Sequence, residues 1–138
     1  MESFERAALI GIFVGDEASG YVNSVVALPS GASEGAAAGY LYGKRHLLPF
    51  GEIIPPGFHW FVRLMNIPIG DQARGRSTAP LAVAGQRVRP LICFEDLFAE
   101  DIVDSVVGAE PATLLANATN LAWFGSAMVQ DQHLQFSR

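Results

Sequence analysis

The apolar residues of this chain come in blocks of strand length, each closed by a turn signal, and that punctuation limits what the chain can fold into. AALIGIFV (7–14) is rich in β-branched and aromatic residues and stops at Gly15-Asp16, which predicts a buried strand. YVNSVVAL (21–28) predicts a second strand, ended by Pro29-Ser30-Gly31. SGASEGAAAG (30–39) reads as an exposed small-residue connection, and Tyr40 to Leu47 as another extended segment stopped by Pro49. The prolines of 50–70 leave room for one short amphipathic helix between loops. Leu81–Ala84 and Arg87–Cys93 predict a hairpin around Gly85-Gln86. After Cys93 the period changes. Leu97, Phe98, Ile102, Val103, Val106 and Val107 share one helical face, with Asp96 as N-cap, an acidic first turn and Gly108 as terminator. Thr113–Ala118 predicts a further strand, and the residues from about Ala127 onward a helix. Strands that give way to alternating strand and helix predict a mixed, layered α/β architecture.

Composition removes several classes of function. Half of the 138 residues are hydrophobic and 17% are charged, which excludes a disordered chain. Nine basic against fourteen acidic residues leave a net charge of −5, so no electrostatic footprint for nucleic acid exists. The longest apolar block is less than half the ~20 residues that a spanning helix needs. Glu2 and Glu5 give the first residues the wrong charge for a basic signal leader. One cysteine permits no internal disulfide. His46, His59 and His133 match no ligand spacing, so no metal or cofactor is expected.

Cys93 ends an apolar strand (RVRPLIC) and precedes a helix. Such a junction exposes a side chain beside free backbone N–H groups, and a helix N-terminus lowers a thiol's pKa. The same position also suits a buried core thiol. Lys44, in the charged triplet of GKRHLLPFGE, reads on its own as a solvated loop lysine. Glu52, set among Gly51, Ile53 and Ile54, needs a cation, and Lys44, eight residues before it, is a candidate. Glu95 reads as a first-turn helix acid, and Asn117 and Asn120 as turn formers before Trp123. Phe58, Trp60, Phe61, Leu64 and Met65 fit either a core-covering segment or an arm that meets lipid.

GKRHLLPFGE (43–52), PLICFEDLF (90–98), and NATNLAWFGS (117–126) with QHLQFSR (132–138) stand in the order found in apolipoprotein N-acyltransferases, membrane members of the nitrilase (carbon-nitrogen hydrolase) superfamily, and the chain resembles that family from about residue 8 onward. MNIPIGDQARG (65–75) and YVNS (21–24) add to the resemblance. It implies an α/β fold, part of a nitrilase-like four-layer αββα sandwich incomplete at both ends, with residues 1–138 forming a partial domain. Cys93 matches the nucleophile and Lys44 the lysine of the superfamily's Glu-Lys-Cys triad. Glu52 and Glu95 match further carboxylates of the site, the Phe94 N–H an oxyanion donor, and Trp123 a substrate contact.

The implied reaction transfers a fatty acyl group from a phospholipid, through a Cys93 thioester, to the α-amino group of a diacylglyceryl-cysteine on an apolipoprotein. The implied setting is the inner membrane, with this domain on its periplasmic side. Two departures stand out: Phe94 replaces a common tyrosine, and Leu121 a frequent aspartate. The triad glutamate belongs to a Trp-Pro-Glu segment upstream of the lysine, and none of Glu2, Glu5, Glu17 or Glu34 follows a Trp-Pro pair. The chain is therefore expected to carry two of three triad groups and to be inactive alone. The alternatives are a soluble nitrilase-type amidase, a thiol hydrolase pairing Cys93 with His46 or His133, and a non-catalytic fragment.

Overall fold

The computed structural model describes residues 3–4, 7–29, 39–65, 71–122 and 128–137. Its elements are β1 (Ser3–Phe4), β2 (Ala7–Asp16), β3 (Gly20–Pro29), β4 (Tyr40–Gly43), α1 (His59–Leu64), β5 (Leu81–Val83), β6 (Gln86–Ile92), a 3-10 turn (Cys93–Leu97), α2 (Ala99–Val107), β7 (Leu114–Ala118) and α3 (Val129–Phe136). They form two sheets. One is antiparallel in the order β2-β3-β4, and the other runs β1-β5-β6-β7. In the second sheet β5 and β6 form the hairpin, while β1 pairs β5 and β7 pairs β6 in parallel.

The sheets meet through small and branched side chains. Ala27 of β3 packs on Leu81 and Val88, and Val25 with Tyr42 packs on Ile92. Strand β3, central in its sheet, thus faces β5 and β6, and the carboxyl end of β6 emerges beside the end of β4. The predicted mixed α/β layering is present.

Local differences have identifiable causes. The sequence predicts that 7–14 is buried, yet Leu9, Ile10, Ile12 and Phe13 of β2 are exposed. β2 lies at the edge of its sheet and is held there by backbone pairing with β3, while the two core clusters are built on β3, β4, β5 and β6 and take only Ala7 from β2. The hairpin turns at Ala84-Gly85, one residue early, because both adopt φ > 0 (49° and 74°), as a two-residue type I′ turn requires. The single helix expected after Cys93 splits at Phe98 (φ −90°, ψ 84°), so Phe98 and not Asp96 stands at the N-cap of α2. Glu100 and Asp101 form the acidic first turn and Gly108 ends the helix, as expected. No α2 residue is buried. The helix of 50–70 is α1, of which only Val62 is buried.

Candidate active site

Cys93 occupies the first position after β6 with φ +58°. A left-handed conformation costs a non-glycine residue about 1–3 kcal/mol and persists only where neighbours enforce it. Three contacts do so. Ile92 before it is fully extended (φ −122°, ψ 120°). The Cys93 carbonyl accepts from Asn117 Nδ2 at 2.8 Å, and the same nitrogen donates to Asp96 Oδ2 at 2.8 Å. Asn117 gets there because β7 runs parallel to β6, placing it opposite Leu91. The third contact is Glu95, whose Oε2 accepts the Ile92 N–H at 2.8 Å and closes the 3-10 turn behind the thiol.

Lys44 follows β4 and is pinned on both sides of its backbone. Its N–H donates to the Asn23 carbonyl and its carbonyl accepts from Gly75, each at 2.7 Å. That approach is possible only because 43 and 75 are glycines: a Cβ on Gly75 would stand 1.9 Å from the Gly43 oxygen. The side chain is 1% exposed. Its Nζ meets both oxygens of Glu52, at 2.7 and 2.6 Å, and lies 5.0 Å from the Phe94 ring centroid. Burying an ammonium is costly unless it is paired, and the bidentate Glu52 contact supplies the pair. Glu52 is itself fixed: Oε2 accepts the Leu48 N–H at 2.9 Å, across a tight turn whose Glu52 and Ile53 amides bond the Leu48 carbonyl.

Glu95 has a different environment from the exposed first-turn acid that the sequence suggests. It is 2% exposed and accepts from Tyr42 Oη (2.8 Å), Ile92 N (2.8 Å), Arg45 N (2.7 Å) and His46 N (3.2 Å). It forms no ion pair among the described residues. Burial first, then the adjacent Glu95 charge, pushes the Tyr42 phenol far above its ordinary range, so Tyr42 remains a donor. Arg89, 1% exposed, lies over the Tyr42 ring at 4.5 Å. Beyond Lys44, Arg45 and His46 grip Asp101 at 2.9 and 2.7 Å, and the His46 ring stacks on Phe98 at 3.7 Å. Burial works to raise the Asp101 carboxyl, but the His46 hydrogen bond and the charges of Arg45, His46 and Arg89 outweigh it and hold it below the usual range.

Lys44, Glu52 and Cys93 line one cavity of about 470 Å³. Its wall alternates polar groups (Asn23, Gln72, Thr119, Asn120) with apolar ones (Ile12, Phe13, Val25, Leu48, Ile92). Glu95 is not among the lining residues; it stands behind them. The arrangement offers a thiol at a strained elbow, a buried ammonium with a carboxylate partner, and apolar surface for a chain-like substrate. The histidines have other partners: His46 binds Asp101, and His133 meets Thr119 and Asp96. No three His, Cys, Asp or Glu side chains among the described residues converge to ligate a metal. Trp123 lies outside the described residues. Tyr42 and Arg89 had no sequence signal beyond an aromatic and a cation in apolar strands.

The chain is 53% identical over 134 residues to the apolipoprotein N-acyltransferase of Ralstonia nicotianae and 47% identical over 135 residues to that of Verminephrobacter eiseniae. Each match covers 96% of this chain and 25% of the relative, so the chain spans about a quarter of their length. In fold it is similar to a crystal structure of a carbon-nitrogen hydrolase from Helicobacter pylori G27, with a TM-score of 0.59 at 13% identity, covering 96% of this chain and 41% of that one. Residues 4–138 match the model of the carbon-nitrogen hydrolase family, and the chain belongs to that family.

Proposed function

We propose that this chain is part of the catalytic domain of an apolipoprotein N-acyltransferase, and that Cys93 and Lys44 are two of its catalytic groups. The observation that carries the proposal is the shared cavity: a buried, Glu52-paired Lys44 faces the same space as the strained Cys93 elbow, with apolar walls beside both. The names of the relatives supply the substrate class.

In the proposed reaction the Cys93 thiolate attacks an ester carbonyl of a phospholipid. The Lys44 ammonium and the Phe94 N–H, in the first turn after the elbow, stabilise the oxyanion. The C–O bond breaks, the thioester forms and the lysophospholipid alkoxide leaves with a proton. The α-amine of a diacylglyceryl-cysteine then attacks the thioester, forms the amide, loses its proton and regenerates the thiolate. Glu52 fixes the lysine, and Glu95 fixes the backbone under both groups. The base that carries the protons is a glutamate in the family, and no residue of this sequence is assigned to it.

Phe58, Trp60, Leu64 and Met65 around α1 are exposed, which supports a lipid-meeting role for that segment. No helix among the described residues is long and apolar enough to cross a membrane. An inner-membrane setting with this domain on the periplasmic side is part of the proposal. The test is acyl transfer from phospholipid to a diacylated lipopeptide, with the present chain and one extended upstream through a Trp-Pro-Glu segment. Turnover by the extended chain that Cys93→Ser abolishes is expected. Amide hydrolysis without acyl transfer would replace this reading with the amidase one, and robust turnover by the 138-residue chain would overturn the two-of-three assignment.

A further inference from the structure

Glu95 is a buried carboxylate with four hydrogen-bond donors and no ion pair among the described residues, and three of the donors are backbone N–H groups on either side of the site. Two belong to Arg45 and His46, the residues directly after Lys44. The third belongs to Ile92, directly before Cys93. One carboxylate therefore ties the lysine loop to the cysteine elbow. What holds the carboxylate is less obvious. A buried anion needs compensation, and backbone dipoles supply part of it. The fourth donor is the Tyr42 phenol, and behind it Arg89 stacks on the ring at 4.5 Å.

Arg89 is an unusual tenant of that place. It is buried in the middle of β6, and its Nε donates to Ser105 Oγ at 3.1 Å. Its Nη1 is buried with no hydrogen-bond partner among the described residues. A guanidinium so incompletely satisfied is expensive to bury, and a hydrogen bond to one serine does not repay it. One anion, Asp101 on α2, lies within its direct influence, and Arg89 and Glu95 both act on the Tyr42 phenol. The cation, the ring and the carboxylate stand in series, with the positive charge on the ring face and the polarised O–H pointing at the negative one.

We propose that Tyr42 and Arg89 are positioning residues for the Cys93–Lys44 site, acting in series through Glu95 to hold the elbow and the lysine loop in register. The inference rests on the reading of Cys93 as the nucleophile. It predicts that the two residues work as one unit, so that losing either releases Glu95, and losing both costs little more than losing one.

The test uses the chain's single cysteine, whose alkylation by iodoacetamide at one fixed pH reports the elbow without any acyl donor. Tyr42→Phe and Arg89→Met are each expected to slow alkylation at least fivefold, with the double variant no slower than about twofold beyond the worse single one. Arg89→Lys keeps the cation over the ring and is expected to recover at least half of the lost rate. Amide exchange separates positioning from general destabilisation: the Ile92, Arg45 and His46 amides should exchange at least tenfold faster in Tyr42→Phe, while the β2–β3 amides keep their protection. Tyr42→Phe removes a single oxygen and carries the test if Arg89→Met does not fold. Wild-type alkylation together with wild-type exchange at those three amides would overturn the inference, and so would a loss of protection spread equally over β2 and β3. A failure to acylate Cys93 from phospholipid would remove the acyltransferase reading and leave these outcomes untouched.

Discussion

Replacing Glu95 by glutamine changes one atom and the charge, and the structure fixes what that must cost. Each carboxylate oxygen faces two donors: Oε1 the Arg45 and His46 amides, Oε2 the Ile92 amide and the Tyr42 phenol. An amide NH2 on the Oε1 side would leave two backbone N–H groups facing a donor. On the Oε2 side the Tyr42 hydroxyl can rotate and accept, and only the Ile92 N–H is orphaned. The second orientation is the cheaper one. It still loses a charge-assisted hydrogen bond, worth roughly 1.5–3 kcal/mol, and weakens the others as the charge disappears. The expected destabilisation is about 3 kcal/mol. With a urea slope of about 2 kcal/mol/M, the midpoint falls by about 1.5 M. Tryptophan fluorescence across a urea series reads this directly, and Glu100→Gln, an exposed acid on α2, should stay within about 0.5 kcal/mol of wild type. A Glu95→Gln midpoint within 0.2 M (roughly 0.4 kcal/mol) of wild type would refute the claim that this carboxylate organises both loops.

Three further outcomes follow from the same contacts. Gly75→Ala places a methyl group 1.9 Å from the Gly43 carbonyl oxygen, with backbone on both sides. It should cost about 3 kcal/mol or more in a thermal melt and slow Cys93 alkylation by displacing Lys44. Asp101 titrates below its ordinary range when folded. A carboxyl lowered on folding stabilises above the unfolded pKa of about 4, and that contribution is lost as pH falls through the folded value. The stability gap between wild type and Asp101→Asn should therefore be widest above the ordinary carboxylate range and close as pH falls through the folded value, in acid titrations followed by circular dichroism. Trp60 is 64% exposed on α1. Its emission should shift to the blue when the chain meets phospholipid vesicles, a change that Trp60→Phe removes and that its absence in wild type would contradict.

The strand blocks were readable because turn chemistry bounds them: Gly15-Asp16, Pro29 and Gly108 end elements close to where the sequence predicts. The burial of β2 was not readable, because apolar content says that a face wants cover but not where the strand stands in its sheet. The split helix after Cys93 was hidden for a different reason. The break is a backbone departure at Phe98 (φ −90°, ψ 84°) that leaves the apolar period on either side of it unchanged. The site shows the same contrast. Lys44 and Cys93 were reachable as a pair through motif resemblance, and Glu52 through its apolar neighbours, which leave a carboxylate in need of a cation. Tyr42 and Arg89 depend on the face-to-face packing of two sheets, which no local pattern encodes. Glu95 stands in the first turn after Cys93 as its spacing suggests, but its burial and its bonds to Tyr42, Arg45 and His46 come from packing against β4 and the loop beyond it, which spacing does not encode.

The central claim is that Cys93 takes an acyl group from phospholipid while Lys44 stabilises the charge that develops. Intact-mass analysis of the upstream-extended protein after incubation with a phospholipid of defined acyl chain tests it most directly. One added acyl mass is expected, located on Cys93, released by neutral hydroxylamine, lost in Cys93→Ser, and reduced at least a hundredfold in rate in Lys44→Met but little in His46→Gln. Acylation that persists without Cys93, or that depends on His46 and not on Lys44, would contradict it.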